Sequence, residues 1–422
     1  MSENEIDIGQ VRERNWLDLW MELLHEAETP KNFIYWSGLS VIAGIVRDKV
    51  YLRKRLYQLY PNLFVMMIGK SGLKKSFPVS KAKELVTIVN GTRVISGQNS
   101  IQGIIAELAS NKTDEKTGHV HKDSHASIFA EEFGDLIVED PSAFKTLTNL
   151  YDRHYHADFA RTLKNSPKQK LTNVTINLLA ASSPSYFKSS VADIHITGGF
   201  LARFLVLYGD RKSQLNPLVD DIKEGDIVYD PNLLVPHLRK LEKISGPFSW
   251  DEEARYIFKD WYYNYYGDGS ATGIIRERED ETGYEDRVND HILKVAMLLA
   301  LTEPNPELIL KPRQIEKAIE LCTELSTAMN NALMGIGRNP LANGMQLVLR
   351  ALLDEPEHTV RRDELLTRFC GEFTYDELDR IEMTLEQAEL IEVDHKKGKT
   401  IYKLTKKGLN RYQQNKKKKE KK

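Results

Sequence analysis

The run Leu63-Phe64-Val65-Met66-Met67-Ile68 restricts the fold of this chain more than any other stretch. Six consecutive apolar residues show no alternation. A strand made of them must be covered on both faces, as in a parallel sheet flanked by helices. The run passes directly into Gly69-Lys70-Ser71-Gly72-Leu73-Lys74-Lys75-Ser76-Phe77, and Val79, Ala82, Leu85 and Val86 beyond it recur at helical spacing. Strand, glycine-containing loop and helix open an α/β domain. Further apolar runs at Ala126–Ala130, Val174–Ala181 and Phe204–Tyr208, each between helical stretches, predict a largely parallel sheet.

The loop has the composition of a phosphate cradle. Gly69 and Gly72 allow backbone N–H groups to converge on a phosphate. Lys75 supplies an ammonium and Ser76 a hydroxyl beside it for Mg²⁺. Lys70, Ser71, Leu73, Lys74 and Phe77 complete the expected cofactor-binding stretch, with Lys74 where such loops usually carry glycine. Glu131-Glu132 close the Ala126–Ala130 run, at the strand end where open α/β sheets bind ligands. One carboxylate (Glu131, with Ser76) is expected to hold the metal's water shell, and the other to orient an attacking water. Ser183 ends the next run and Arg203 precedes the last. Spacing alone makes Ser182-Ser183-Pro184 equally a γ-phosphate contact or a plain turn. Arg203 could reach a neighbouring subunit's γ-phosphate, the alternative being a surface ion-pair arginine.

With 422 residues the chain has room for two or three domains. Its 59 Lys and Arg nearly balance 61 Asp and Glu, so nucleic-acid contact must come from local patches. Cys322 and Cys370 stand far apart, without metal-like spacing, which argues against a disulfide framework. The start MSENEIDIGQ does not resemble a signal peptide, and the apolar stretches are too short to span a bilayer. A soluble, cytoplasmic protein with no membrane partner is expected.

The expected organisation has five parts. Residues 1–55 form a tail and a collar of two helices, carrying Trp16, Leu19, Trp20 and Leu23, then Phe33 to Val46. Residues 56–212 form the phosphate-loop core. Residues 213–335 are a helical lid. Within it Ser249 and Glu252 read as a capping box, a mobile loop runs from Gly267 to Gly283, and a helix from Val288 to Leu301. Residues 340–412 read as helices over Gln346–Leu353, from Val360, and over Thr374–Leu390, then a hairpin around His395-Lys396-Lys397-Gly398-Lys399. That is the outline of a winged helix-turn-helix. Residues 413–422 are a basic disordered tail.

Arg161, Lys164, Lys168 and Lys170 form a basic turn able to track a DNA backbone, or simply a solvated loop. Lys396, Lys397 and Lys399 at the hairpin tip could touch phosphate. The helix that would enter the major groove carries Glu377, Asp379, Glu382, Glu386 and Glu389, which opposes deep insertion. His119, His121 and His125, and His154 with His156, lie in polar segments with no cysteine near, and read as solvated loops rather than zinc ligands.

Four stretches in order, GKSGLKKS, FAEEFG, NLLAASSP and GGFLARFL, resemble the ATPase core of minichromosome-maintenance-type AAA+ helicases. They are more similar still to the helicase-like ATPases of phages, plasmids and other mobile elements (the DUF3987 family). The resemblance covers about Ile34 to Leu301 and implies an α/β, AAA+-like parallel-sheet core with ATP and Mg²⁺ as cofactors. It implies Walker A at Gly69–Ser76, Walker B at Glu131-Glu132, sensor 1 at Ser183 and an arginine finger at Arg203. A second sensor is expected in the lid, with Arg287 the nearest candidate. Arg161 to Lys170 becomes a pre-sensor hairpin pointing into a ring pore. The implied activity is that of an ATP-dependent DNA helicase or translocase, a hexameric homo-oligomer on single-stranded or forked DNA, with other replication proteins as partners. Glu131 replaces the usual Asp and Ser183 the usual Asn. In the minichromosome-maintenance group the residue before the loop lysine is commonly Ala.

Overall fold

A computed structural model describes residues 13–89, 93–97, 100–109, 112–113, 120–121, 123–137, 143–152, 159–161, 169–190, 199–217, 229–267, 269, 282–333, 341–396 and 399–409. The chain forms two compact units, residues 1–332 and 333–422.

The first unit opens with α1 (Trp16–Leu23), α2 (Lys31–Val46), β1 (Val50–Arg53) and β2 (Gln58–Leu59). Next come β3 (Phe64–Gly69), α3 (Ser76–Val89), β4 (Arg93–Ser96) and α4 (Ile101–Ala109). A short ladder of β5 (Lys112–Thr113) and β6 (Val120–His121) leads into β7 (His125–Ala130) and α5 (Ala143–Tyr151). A second ladder, β8 (Phe159–Arg161) with β9 (Gln169–Leu171), precedes β10 (Thr175–Ser182), α6 (Pro184–Ser190) and β11 (Phe204–Gly209). The rest is α7 (Val235–Leu241), β12 (Gly246–Trp250), α8 (Glu252–Tyr266), α9 (Tyr284–Leu301), β13 (Ile309–Leu310) and α10 (Pro312–Leu333).

The central sheet runs β11-β3-β10-β7-β4 with every neighbour parallel. All residues of β3 and β10 are buried, the outcome an unbroken apolar run demands. Gly69 pairs with Gly209, Ser182 with Ile68, and Ala130 with Ala180, so the carboxyl ends of β3, β10 and β7 share one edge. Edge strand β4 was not legible: four residues, RVIS, with half-buried Val94 give too short a signal.

The expected collar is instead a layer of the core. Helix α2 is apolar on nearly all sides and buries most of its residues, the behaviour of a helix covered all round. Asn177 of β10 ties it down, donating to Ala43 O at 3.1 Å while accepting Leu63 N–H at 3.0 Å. A Cβ on Gly44 would lie 2.6 Å from Ser127 Oγ, so glycine sets how closely α2 approaches the sheet. A second sheet, β13-β12-β1-β2, joins the expected collar to the expected lid through the parallel pairs β1–β12 and β12–β13.

Ser249 is not the cap of α8. It pairs within that second sheet, and its hydroxyl donates to Leu308 O at 3.3 Å. Asp251 caps the helix, accepting from Glu253 and Ala254 N–H. Most of the segment from Gly267 to Gly283 lies outside the described residues.

The second unit holds α11 (Ala342–Asp354), β14 (Thr359–Arg361), α12 (Arg362–Arg368), α13 (Tyr375–Gln387), β15 (Ile391–Lys396) and β16 (Lys399–Leu404). The three strands form an antiparallel sheet, β14-β16-β15. The helix expected from Val360 starts only at Arg362, because Val360 pairs with Tyr402. Val348, Leu352, Leu365, Ile381, Leu385 and Tyr402 build this unit's own core.

Candidate functional site

The loop between β3 and α3 is shaped by two residues with positive φ, Gly72 at 89° and Lys74 at 51°. Gly69 must be glycine: a Cβ there would meet Leu73 Cδ1 at 2.8 Å and Gly209 O at 3.0 Å. Leu73 turns inward as the loop's apolar anchor, while Lys70, Ser71, Gly72 and Ser76 are exposed. Lys75 is buried, and its Nζ donates to Lys70 O at 3.2 Å. The ammonium is therefore folded back on the loop's own backbone. Ser76 is the first residue of α3, where backbone N–H groups lack helical partners and the helix dipole favours an anion. Phe77 is half-buried and its N–H donates to Lys74 O at 3.1 Å.

Lys74 occupies the left-handed region, which costs a residue other than glycine about 1 kcal/mol. Contacts from the segment before α2 hold it there. Thr29 Oγ1 donates to Lys74 O at 3.0 Å, and Lys74 Nζ pairs with Glu28 at 2.8 Å. Glu28 also takes Lys212 Nζ at 2.8 Å and the Asn216 N–H at 3.3 Å. The bonds from Lys212, then Lys74, hold its carboxyl down at about 2. Ser213 binds the same segment, its N–H donating to Glu28 O at 3.0 Å and its hydroxyl to Thr29 O at 2.8 Å.

Strand β7 delivers Glu131 and Glu132 to the same sheet edge as Gly69, exposed and two strands away. That separation is about 10 Å. A cavity of 280 Å³ lies between this strand end and the first turns of α3, lined by Val79, Ser80, Lys83, Gly97 and Glu131. Glu131 is thus brought near the helix that Ser76 begins. Ser183, at the end of the intervening β10, accepts the Tyr186 N–H at 3.2 Å and so caps α6. Its hydroxyl sits within 3.3 Å of Ser185 Oγ.

The two arginines lie elsewhere. Arg203 directly precedes β11, at the sheet edge opposite the loop, which is about 17 Å away along the strand. There it binds Asp152, with Nε at 3.0 Å, and Arg287 binds the same carboxylate at 3.1 Å. Burial alone would raise the Asp152 carboxyl; Arg287 and Arg203 outweigh it and hold the group below its usual value. Within one chain neither arginine is brought to the loop, so the lid position expected of Arg287 does not put it on a nucleotide held there. Beside them is a 200 Å³ cavity, lined in part by Tyr57, Asn62, Asp290 and Lys294. Lys294 is buried, donates to Asn62 Oδ1 at 2.8 Å and lies 4.0 Å over the Tyr151 ring. Burial lowers it to about 7.

No family model matches the chain, and no curated protein matches it.

Arg161 and Lys170 lie on the β8–β9 ladder, so the expected hairpin has its antiparallel base. Its tip, with Lys164 and Lys168, lies outside the described residues. Lys396 and Lys399 end β15 and begin β16, while Lys397 lies outside. Part of the α13 acidity is spent internally: Arg362 pairs with Glu382 at 2.8 Å and also with Asp379. His119, His154 and His156 fall outside the described residues. His125 is not in a solvated loop; it begins β7 and takes Arg47 Nη1 at 2.7 Å. Among the described residues no three metal-binding side chains gather, and no helix is long and apolar enough to cross a membrane.

Glu28, Thr29 and Asp152 carried no sequence signal as site residues. Lys74 did: a lysine where glycine is usual asks what holds the turn.

Proposed function

We propose that this chain is a cytoplasmic P-loop ATPase that assembles into a hexameric ring and drives a DNA translocase or helicase, in replication of a phage, plasmid or other mobile element. The observation that carries the ATPase reading is the buried Lys75 ammonium in a loop with two positive-φ residues, at the carboxyl end of a central parallel strand. Two carboxylates stand on the same edge. The donor set fits ATP and Mg²⁺: backbone N–H groups and an ammonium for phosphate oxygens, a hydroxyl and carboxylates for a hard cation.

In this reading Lys75 and the N–H groups of residues 70–76 bind and orient the β- and γ-phosphates. Ser76 and Glu131 would hold the Mg²⁺, which neutralises developing charge on the phosphate oxygens when bound. Glu132 orients the attacking water, and Ser183 offers its hydroxyl proton from the strand between. Arg203 serves a nucleotide held by the neighbouring chain, with Arg287 beside it on Asp152. The basic turn from Arg161 to Lys170 follows a DNA backbone, and Lys396, Lys397 and Lys399 touch phosphate from the β15–β16 hairpin of a winged helix.

The second reading is a replication initiator or helicase loader with a switch-like ATPase. The contact of Ser183 Oγ with Ser185 Oγ at 3.3 Å supports it, because a hydroxyl proton given to Ser185 is not available to a γ-phosphate. Lys75→Ala is expected to lower Mg²⁺-dependent ATP turnover at least about a hundredfold; unchanged turnover in that variant removes the site. Strand displacement on a forked duplex separates the two readings, since a loader hydrolyses ATP without unwinding.

A further inference from the structure

Where a phosphate loop usually has glycine, this chain has Lys74 in the left-handed conformation, at φ 51°. We propose that Glu28 and Thr29 do the work of the missing glycine: they clamp Lys74 from its side chain and its carbonyl, and so preset the loop for phosphate. Glu28 is then a positioning residue for nucleotide binding. This rests on the ATPase reading for its consequence, but the clamp itself does not.

The arrangement has both halves a clamp requires. One bond reaches the Lys74 backbone, from Thr29 Oγ1 at 3.0 Å, and fixes the turn's carbonyl. The other reaches the Lys74 ammonium, at Glu28, and ties the side chain down. Two exposed loop cations, Lys70 and Lys74, would otherwise repel Lys75 and each other. Glu28 neutralises one of them in a nearly buried position, where an ion pair is screened less than at the surface.

The clamp is itself anchored. Glu28 holds Lys212 and the Asn216 N–H, Ser213 binds the Glu28 and Thr29 carbonyls, and Gln214 Nε2 donates to His25 O at 2.6 Å. The segment after β11 therefore fixes Glu28, and Glu28 fixes Lys74. Gly209, at the root of that segment, cannot take a Cβ without meeting Phe33 at 2.9 Å and Pro30 at 3.0 Å. Two stretches distant in sequence close on one loop residue whose own conformation is unfavourable. A lysine at that position is tolerable only with such support.

The prediction is one of coupling. Glu28→Gln keeps hydrogen-bonding capacity but loses the charge. In the otherwise unchanged protein it is expected to weaken binding of a fluorescent non-hydrolysable ATP analogue about tenfold. In a Lys74→Gly background, where no clamp is needed, the same change is expected to cost less than about twofold. Hydrogen exchange of residues 70–77 without nucleotide gives a second readout. Exchange should rise in Glu28→Gln, and in Thr29→Val should that variant be the better folded, but not in the Lys74→Gly background. Equal loss of affinity in both backgrounds, or exchange that ignores Glu28, overturns the clamp. Faster exchange together with no nucleotide binding by the unaltered protein upholds the clamp and rejects the ATPase reading.

Discussion

Three bases, buried His291 and Lys294 and half-buried His125, hold protons less firmly in the folded chain than outside it. Burial, then the neighbouring Arg47, brings His125 down to about 4. Burial does the same to His291, down to about 4, although its Nε2–H donates to Ala202 O at 2.9 Å. Lys294 is held at about 7 against 10.5 in an exposed chain. The unfolded chain therefore carries protons on the histidines between pH 4 and 6.5, and on Lys294 between pH 7 and 10.5, that the folded chain does not. Linkage then makes stability fall as pH drops through each window, by up to about 1.4 kcal/mol per pH unit for each group. Glu28 acts in the same direction lower down, its stabilising charge being lost between pH 4.5 and 2. Urea unfolding midpoints measured from pH 10 to pH 4 should decline toward acid. Lys294→Met should make the alkaline segment shallower and leave the part due to half-buried Lys49, which burial holds at about 8; a flat profile in the unaltered protein contradicts these assignments.

At the scale of elements, the strongest single dependence is the approach of α2 to the sheet. A methyl on Gly44 would press on the Ser127 hydroxyl, and neighbouring Asn177 allows α2 little freedom to retreat. Gly44→Ala is expected to lower stability by about 2 kcal/mol through overpacking, despite the better helix propensity of Ala. A thermal midpoint at or above that of the unaltered protein rejects the close-packed layer. The same element shows where sequence reading stops. The apolar runs of β3, β7, β10 and β11 were legible because a strand covered on both faces leaves an uninterrupted signature. Helix α2 was legible as a helix, but not as a core layer, because it packs on the distant β10 and α3 as well as on its chain neighbour α1. Strands β1, β12 and β13 were missed outright. Each is short, and what makes it a strand is a partner far away in the sequence.

For the whole first unit, the loop and the Arg203–Asp152–Arg287 cluster sit at opposite edges of one sheet. On the proposed reading, a chain built this way completes its ATPase site against a second copy. Mixing Arg203→Ala with Glu132→Gln protein should restore part of the ATP turnover that each lacks alone, since mixed rings contain some intact interfaces. No recovery at any ratio counts against the trans role of Arg203. The strand–loop–helix was legible because an apolar run, two glycines and a helical pattern follow one another in a short span. The clamp on Lys74 and the pairing of both arginines with Asp152 were not, since they join residues that only the fold brings together. The most direct test of the central claim is a map of the protein with Mg²⁺ and a non-hydrolysable ATP analogue. The account predicts triphosphate density against the backbone of residues 70–76, with Lys75 Nζ released from Lys70 O onto a phosphate oxygen and the metal at Ser76. Triphosphate bound elsewhere, with Lys75 still on the Lys70 carbonyl, contradicts it.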